Sequence, residues 1–154
     1  MNISEDQYQK DKNEITQVVK DMCHKDYNKG RQYMHKSCLF IRPSGNPLDM
    51  DGWDFMMKNP NVKIESNDLL SINKLHINGD MAYVCYTTRG VFNYMGTQND
   101  DVAVLTSILE KIDGKWLVVH GQRSTGRKPG DPFPIFPKIP KLSTPAVLGL
   151  MYTF

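Results

Sequence analysis

The sequence predicts an α+β fold, in which an antiparallel sheet from the second half of the chain packs on helices from the first half. The pairs Asn78-Gly79 and Asp113-Gly114 each lie between two apolar-rich segments. Both pairs favour the positive φ angles of tight β-hairpin turns. The beginning of the chain instead has apolar residues at helical spacing. The predicted order is therefore helices first and a long strand meander afterwards.

The N-terminal segment predicts a helix from about residue 5 to about residue 28. Ser4 and Gln7 have the spacing of a capping box, in which each side chain satisfies a free backbone amide. A helical apolar stripe follows, formed by Ile15, Val18, Val19, Met22 and Cys23. Gly30 is the predicted C-terminal stop, and a short helical turn is predicted at residues 31–35.

The next segment predicts a short strand and a second helix. The strand covers residues 38–42 and ends in a turn at residues 43–47, which contains two prolines and a glycine. Asp51 is the predicted N-cap of a helix that runs to Met57. Pro60 follows soon after and prevents this helix from continuing.

Five extended segments are predicted after this helix, at residues 62–65, 69–77, 81–92, 101–112 and 115–124. Residues 94–99 form a longer turn between two of them. The segment 101–112 is apolar on both faces, which predicts a central strand covered on both sides. A dimer interface is one way to provide the second cover.

Composition narrows the possible partners. The formal net charge is +2 without a basic block, which argues against nucleic acid as a partner. No apolar run reaches the roughly 20 residues that span a bilayer, so no membrane partner is expected. The polar N-terminus does not resemble a secretory signal. Cys23, Cys38 and Cys85 form no close pair, which favours a reducing, cytoplasmic setting. The nine methionines predict either adaptable core filling or a plastic lining for an apolar cavity.

The C-terminal segment differs from the rest of the chain. Six of the nine prolines lie between Pro129 and Pro145, so residues 129–154 are predicted to form an extended tail outside a domain of residues 1–128. Residues 146–154 are apolar enough to need burial. They are expected to pack on the domain itself, cover a pocket or reach a second subunit.

Three stretches, taken in order, resemble the nuclear-transport-factor-2-like (NTF2-like) superfamily. They are residues 40–45 followed by Gly52-Trp53, residues 77–84, and residues 113–124. SnoaL-like and ketosteroid-isomerase-like domains are the most similar branch, and residues 113–124 are also similar to the association domain of calcium/calmodulin-dependent kinases. The resemblance covers most of residues 5–127.

The resemblance implies a cone, in which a strongly bent sheet wraps around the helices and leaves a pocket at its open end. It also implies dimerisation through the outer face of the sheet. Members of the superfamily include cofactor-free isomerases, cyclases and dehydratases, and also non-catalytic carriers and assembly modules. Fold analogy alone does not choose between these functions.

His120 is the candidate catalytic residue. Strand alternation places Trp116, Val118, His120 and Gln122 on one face, and a neutral imidazole can exchange a proton near pH 7. SnoaL-like cyclases have a His-x-Asp pair at the matching place, where this chain has His120 and Gln122. Gln122 can orient a ligand but cannot accept a proton. His120 is therefore either a proton shuttle or a structural histidine.

Five further residues are candidates to bind or orient a ligand: Gln122, Arg42, Tyr86, Trp53 and Asp101. Arg42 and also Arg123 could bind a carboxylate or enolate if they point into the pocket. The alternative for both is a salt bridge at the rim, and it suits Arg123 better than Arg42. Tyr83 and Tyr86 lie on opposite faces of their strand, so at most one can point inward and donate to an oxyanion. Trp53 would form a pocket wall, and Asp101 would place a carboxylate at the pocket mouth or in a solvated turn.

The leading hypothesis is a protein that binds a small, largely apolar organic molecule and performs cofactor-free isomerisation, cyclisation or dehydration. The four histidines are scattered and no HExxH or paired-cysteine motif occurs, so neither a metal nor a cofactor is expected. The alternative is a non-catalytic ligand-binding or dimerisation module of the same fold, most simply a homodimer. An assembly hub of the kinase type is a third possibility.

Overall fold

A computed structural model describes residues 3–131 of the chain. It contains three helices and six strands in this order: α1 (Glu5–Met22), α2 (Tyr27–Arg31), β1 (Met34–Ile41), β2 (Pro47–Leu48), α3 (Met50–Met57), β3 (Val62–Asn78), β4 (Met81–Tyr94), β5 (Thr97–Ile112) and β6 (Lys115–Arg123). The predicted tail covers residues 129–154, of which residues 132–154 lie outside the described residues, and the domain boundary at residue 128 stays a prediction. None of the helices in residues 3–131 is long and apolar enough to cross a membrane.

The predicted first helix is two helices. The N-cap at Ser4 is confirmed, because the Ser4 hydroxyl accepts a hydrogen bond from the Gln7 amide at 3.2 Å. The Gln7 side chain does not complete the capping box, since it donates to the Asp11 carboxylate at 3.0 Å. The predicted end at residue 28 is wrong, because α1 stops at Met22. The Asp26 carboxylate accepts from the Asn28 amide at 3.0 Å and thereby starts α2 as a new helix.

The structure also differs from the sequence prediction at two other element boundaries. The helical turn predicted at residues 31–35 is wrong, because β1 begins within it at Met34. The N-cap of α3 is Asp49 and not Asp51, since the Asp49 carboxylate accepts from the Gly52 amide at 2.8 Å. Asp51 lies in the first turn instead, where its charge suits the helix dipole.

The six strands form one sheet in the order β2-β1-β6-β5-β4-β3. All neighbouring pairs are antiparallel except β1 and β6, which are parallel. β3 is a single strand of 17 residues, whereas the sequence predicted two segments. Its register against β4 shifts at three places, and such bulges bend and twist a sheet. The α+β fold with helices packed on a curved sheet is therefore confirmed.

The hairpin turns define the two ends of the sheet. Asp113 and Gly114 both have positive φ, as the sequence predicted for the β5–β6 turn. The β4–β5 connection is tighter than predicted, because Met95 and Gly96 form a two-residue turn with φ of 52° and 91°. We call the end with the β5–β6 turn the closed end, and the end with Met95 the open end.

The closed end is filled by α1. Ile15, Val18 and Val19 of this helix pack against Leu109 of β5 and Val118 of β6 in one buried cluster. Burying such a stripe provides most of the stability of a helix in a globular protein.

The helix also buries a charge at this end. The Asp11 carboxylate, whose side chain is 2% exposed, lies 2.6 Å from Lys111 Nζ and accepts from Trp116 Nε1 at 3.0 Å. The Gln7 side-chain amide also donates to it at 3.0 Å, so its partners are a full cation, an indole and an amide.

The sequence predicted that β5 is covered on both faces, but within the described chain part of its outer face is exposed. The inner face is buried at Ala103, Ser107 and Leu109, but Val104 is 38% exposed on the outer face. Thr106 is also exposed. Within residues 3–131, the outer face of β5 is therefore covered at Val102, which is 8% exposed, but not at Val104 and Thr106.

Candidate functional site

A cavity of about 470 Å³ lies between the helices and the concave face of the sheet and opens at the open end. Its wall is mainly apolar and aromatic, with side chains such as Met22, Met34, Phe40, Trp53, Met56 and Phe92. Four of the nine methionines line it, which fits the prediction of a plastic apolar lining. The volume is in the range of pockets that bind small organic molecules.

A β-bulge in β6 decides which of its residues face the cavity. Val118 pairs with Leu109, and His120 pairs with Ile108, so Val119 is an extra residue without a partner on β5. An extra residue reverses the alternation of side chains beyond it. Trp116 and Val118 therefore face the core, whereas His120 faces the opposite side of the sheet.

The prediction that His120 and Gln122 share the face of Trp116 is wrong for this reason. Neither residue lines the cavity. His120 instead lies beside the exposed Leu39 of β1 on the outer face.

Gly121, between His120 and Gln122, and Arg123, after Gln122, point inward. A Cβ atom at Gly121 would lie 2.7 Å from Phe40 Cδ2, so only glycine allows this close approach of β1 and β6. Arg123 follows two residues later on the same face and lines the cavity.

Arg123 is the most buried cation of the cavity wall. Its side chain is 19% exposed, and Nη2 lies 3.6 Å from Asp101 Oδ2. Its guanidinium also lies 5.9 Å from the centroid of the Phe92 ring. Burial lowers the pKa of Arg123 below its ordinary value, although the nearby Asp101 acts in the opposite direction. The guanidinium is therefore incompletely compensated for its loss of water.

Arg42 lies beside Arg123. Ile41 pairs with Gln122 in the parallel register, so the next residues on the two strands are Arg42 and Arg123. Neighbouring strands are about 4.8 Å apart. The Arg42 guanidinium lies 5.2 Å from the Tyr94 ring centroid and lines the same cavity.

Three other predicted site residues also line this cavity: Trp53, Tyr86 and Asp101. Trp53 packs against Phe40 with 4.4 Å between ring centroids, and its buried Nε1 has no hydrogen-bond partner within residues 3–131. The Tyr86 hydroxyl lies 3.2 Å from Ser107 Oγ. Burial raises the pKa of Tyr86 above its ordinary value, so its hydroxyl stays protonated at neutral pH and can donate.

A second polar cluster closes the helical side of the cavity. The Arg31 guanidinium binds the Asp54 carboxylate through two contacts, at 2.8 and 3.1 Å. The Tyr27 hydroxyl donates to the same carboxylate. Since Arg31 has a bidentate carboxylate partner, its charge is already compensated. This cluster joins α2 to α3 and holds the helical wall in place.

The structure thus brings Arg42, Trp53, Tyr86 and Asp101 together and leaves His120 on the other face. The salt bridge that the sequence favoured for Arg123 is present, to Asp101 at 3.6 Å, and Arg123 also lines the cavity. One sequence signal for the bulge in β6 was available, because residues 116–119 are four consecutive apolar residues and so depart from simple alternation. Within residues 3–131, no group of three or more His, Cys, Asp or Glu side chains is placed to hold a metal.

Residues 10–130 match the family model described as a protein of unknown function, DUF3804. No curated protein is detectably similar to this chain. An NTF2-like protein of unknown function from Prochlorococcus sp. NATL2A is 36% identical, with a TM-score of 0.70 over 76% of this chain and 94% of that one.

Two further solved structures share the fold. The association domain of CaMKII from C. elegans is 25% identical, with a TM-score of 0.57 over 80% of this chain and all of that one. An NTF2-like protein from Cytophaga hutchinsonii is 16% identical, with a TM-score of 0.61 over 80% of this chain and 99% of that one. The SnoaL-like branch stays a prediction. The match over residues 10–130 and the 36% identity show that the chain belongs to the DUF3804 family and to the NTF2-like superfamily.

Proposed function

We propose that this protein binds a small, largely apolar organic molecule in the cavity at the open end. The observation that supports this most is the cavity itself, about 470 Å³ in volume and lined by aromatic rings and methionines. Ligand sites typically combine such a wall with a few polar groups that fix orientation. Trp53 Nε1, the Tyr86 hydroxyl and the guanidinium of Arg123 are groups of this kind.

Binding is better supported than the isomerase, cyclase or lyase activity that the sequence suggested. His120, the predicted proton shuttle, lies on the outer face and cannot reach a ligand in the cavity. Burial raises the pKa of the Cys23 thiol on the cavity wall to about 12, so it is not a thiolate nucleophile at neutral pH. The proposal therefore assigns ligand binding and no reaction. Cytoplasmic localisation, predicted from the unpaired cysteines, stays a prediction.

A cavity-filling variant tests the proposal. Met57 lines the cavity from α3, whereas Phe55 on the same helix is 79% exposed. Met57→Trp should therefore weaken binding at least tenfold by occupying ligand volume, a change of about 1.4 kcal/mol, and Phe55→Trp should leave it unchanged. Saturation-transfer NMR with a panel of neutral and anionic aromatic and aliphatic compounds measures this, after native mass spectrometry has identified any retained ligand. Binding that Met57→Trp does not weaken, or a panel without any binder, would contradict the proposal.

We also infer that the outer face of the sheet pairs two copies of the chain. A row of side chains crosses four neighbouring strands on this face: Leu39, His120, Ile108 and Tyr83. Leu39 and Tyr83 are each 40% exposed. Large apolar residues that are exposed in a row favour an interface, and the similar CaMKII domain is an association domain.

The size of the particle in solution tests this interface. Tyr83→Lys places a charge within the row and should shift a dimer toward monomer in analytical ultracentrifugation. Phe55→Lys is the matched control, because Phe55 is also apolar and exposed but belongs to α3. A wild-type protein that is monomeric at micromolar concentration would refute the interface. So would a dimer that tolerates Tyr83→Lys.

A further inference from the structure

We propose that the ligand is a monoanion with a carboxylate group, and that Arg42 and Arg123 bind this group together at the mouth of the cavity. The inference deepens the proposed function and rests on it. It names the chemical class of the ligand and the residues that select it.

The first argument is that the two guanidiniums converge. Ile41 at the end of β1 pairs with Gln122 of β6, and Arg42 and Arg123 are the residues that follow this pair. They lie over the rings of Tyr94 and Phe92, respectively. These two rings are alternate residues on one face of β4, about 7 Å apart along the strand. Two planar forks at this spacing can both donate to one carboxylate.

The second argument is that both arginines have donors to spare. Within residues 3–131, the Arg42 side chain has a ring contact but no hydrogen bond or ion pair. The only carboxylate near Arg123 in this part of the chain is Asp101 at 3.6 Å, which is longer than a hydrogen bond. Arg31, by contrast, is held by Asp54 through two short contacts. The cations that remain undercompensated are therefore the two at the mouth.

The third argument concerns the amount of charge. At the cavity mouth, Arg42 and Arg123 together with Asp101 leave one net positive charge, and the other carboxylate on the wall, Asp26, is used on the helical side as the N-cap of α2. One carboxylate neutralises it, whereas a dianion would leave a negative charge in a largely apolar cavity, which is unfavourable. Asp101 therefore acts as a selectivity residue against dianions.

The backbone holds the two arginines and Asp101 in place before a ligand arrives. The Gly45 amide donates to the Arg42 carbonyl at 2.8 Å, which closes the turn after β1. A Cβ atom at Gly126 would lie 2.5 Å from Asp101 Cβ, so this glycine lets the chain after β6 pack directly on Asp101. Preorganised groups lose less entropy on binding, which increases affinity.

Three probes with a common aromatic body test the inference: phenylbutanoate, phenylbutanamide and phenylpropyl phosphate. They present a monoanion, a neutral amide and, at mildly alkaline pH, a dianion. Titration by NMR should show phenylbutanoate binding about tenfold more tightly than either of the others. This is the usual advantage of a charge-assisted hydrogen bond.

The variants then identify the groups that select the carboxylate. Arg123→Gln and Arg42→Gln should each weaken phenylbutanoate about tenfold and leave phenylbutanamide unchanged. Arg89→Gln is the control, because Arg89 is an exposed arginine of the same sheet that does not line the cavity. Asp101→Asn should improve phenylpropyl phosphate more than phenylbutanoate. Arg123→Gln alone leaves Asp101 without its cation, which could disturb the fold. The double variant Arg123→Gln/Asp101→Asn removes both charges together, so a loss of phenylbutanoate binding that persists in it does not come from an unpaired Asp101.

The outcomes separate this inference from the proposed function. If phenylbutanamide binds as tightly as phenylbutanoate, or if Arg123→Gln weakens both equally, the carboxylate inference is wrong and the binding cavity stands. If none of the three probes binds while the fold is intact by circular dichroism, the cavity is not a site for such molecules and both statements fail.

Discussion

The two ends of the sheet each place a carboxylate next to a cation, buried at the closed end and part-buried at the open end, and the two pairs differ in how completely their polar groups are bonded. At the closed end, Asp11 contacts Lys111 at 2.6 Å and also accepts from the Trp116 indole. At the open end, Asp101 and Arg123 are 3.6 Å apart, and a cavity lies beside them. The first pair is complete within the protein and the second is not.

The difference teaches how a structural ion pair is distinguished from a binding site. A buried charge is stable only when hydrogen bonds and opposite charge replace its water. Asp11 has these partners, and its pKa reflects them. Burial alone raises the pKa of Asp11, but the contacts with Lys111 and Trp116 outweigh burial and bring the pKa below its ordinary value. For Arg123, burial dominates and the pKa is lowered. The open end thus retains a cation that a ligand can complete.

The largest expected effect is on stability at the closed end. Asp11→Asn removes the charge that compensates Lys111 and should lower the free energy of unfolding by about 3 kcal/mol. Asp101→Asn makes the same change at the open end, where the pair is looser, and should cost about 1 kcal/mol or less. Urea denaturation of both variants measures the contrast. Equal losses would remove the proposed distinction between the two ends.

A second effect concerns the close approach of the strands that position the two arginines. Gly121→Ala brings a Cβ atom to 2.7 Å from Phe40 Cδ2, and overpacking of this kind costs about 1–3 kcal/mol. Gly90→Ala is the control, because its nearest side-chain atom is at an ordinary 3.4 Å. Thermal unfolding compares the two. Combining Gly121→Ala with Phe40→Leu should recover most of the loss, and no recovery would show that the contact with Phe40 is not the cause.

The smallest expected effect is the acid dependence of the closed end. The pKa of Asp11 is lower in the folded protein than in the unfolded chain. The stability from this carboxylate is therefore present above its unfolded pKa, near 3.9, and is lost as the pH falls through the folded pKa. Denaturation midpoints measured across this acidic range should fall less steeply in Asp11→Asn than in the wild type. Parallel curves would indicate that Asp11 does not contribute.

Much of the fold could be predicted from the sequence because its signals are local. The Ser4 cap depends on residues within one helical turn, and Asp113-Gly114 specifies its own hairpin. The end of α1 was predicted less well, because the competing cap at Asp26 has no apolar pattern to mark it. The N-cap at Asp49 was missed for a similar reason, since Asp51 nearby suits the same position.

The same difference between local and non-local signals applies to the residues of the candidate site. Arg42, Trp53, Tyr86 and Asp101 line the cavity, because simple alternation or helix position applies to them, and their role in binding a ligand stays a prediction. His120 was predicted on the wrong face, since one bulged residue between it and Val118 reverses the alternation.

By itself, the sequence determined the succession of N-terminal helices and a long strand meander, the superfamily and the apolar, methionine-rich character of the interior. Only the tertiary structure decided which face of the end of β6 borders the cavity. The physical reason is that a β-bulge depends on how two strands pair, and the pairing of β5 with β6 is set by the packing of the whole sheet on α1. The bulge turns Arg123 toward the cavity, and the parallel pairing of β1 with β6 brings Arg42 next to it at the cavity mouth.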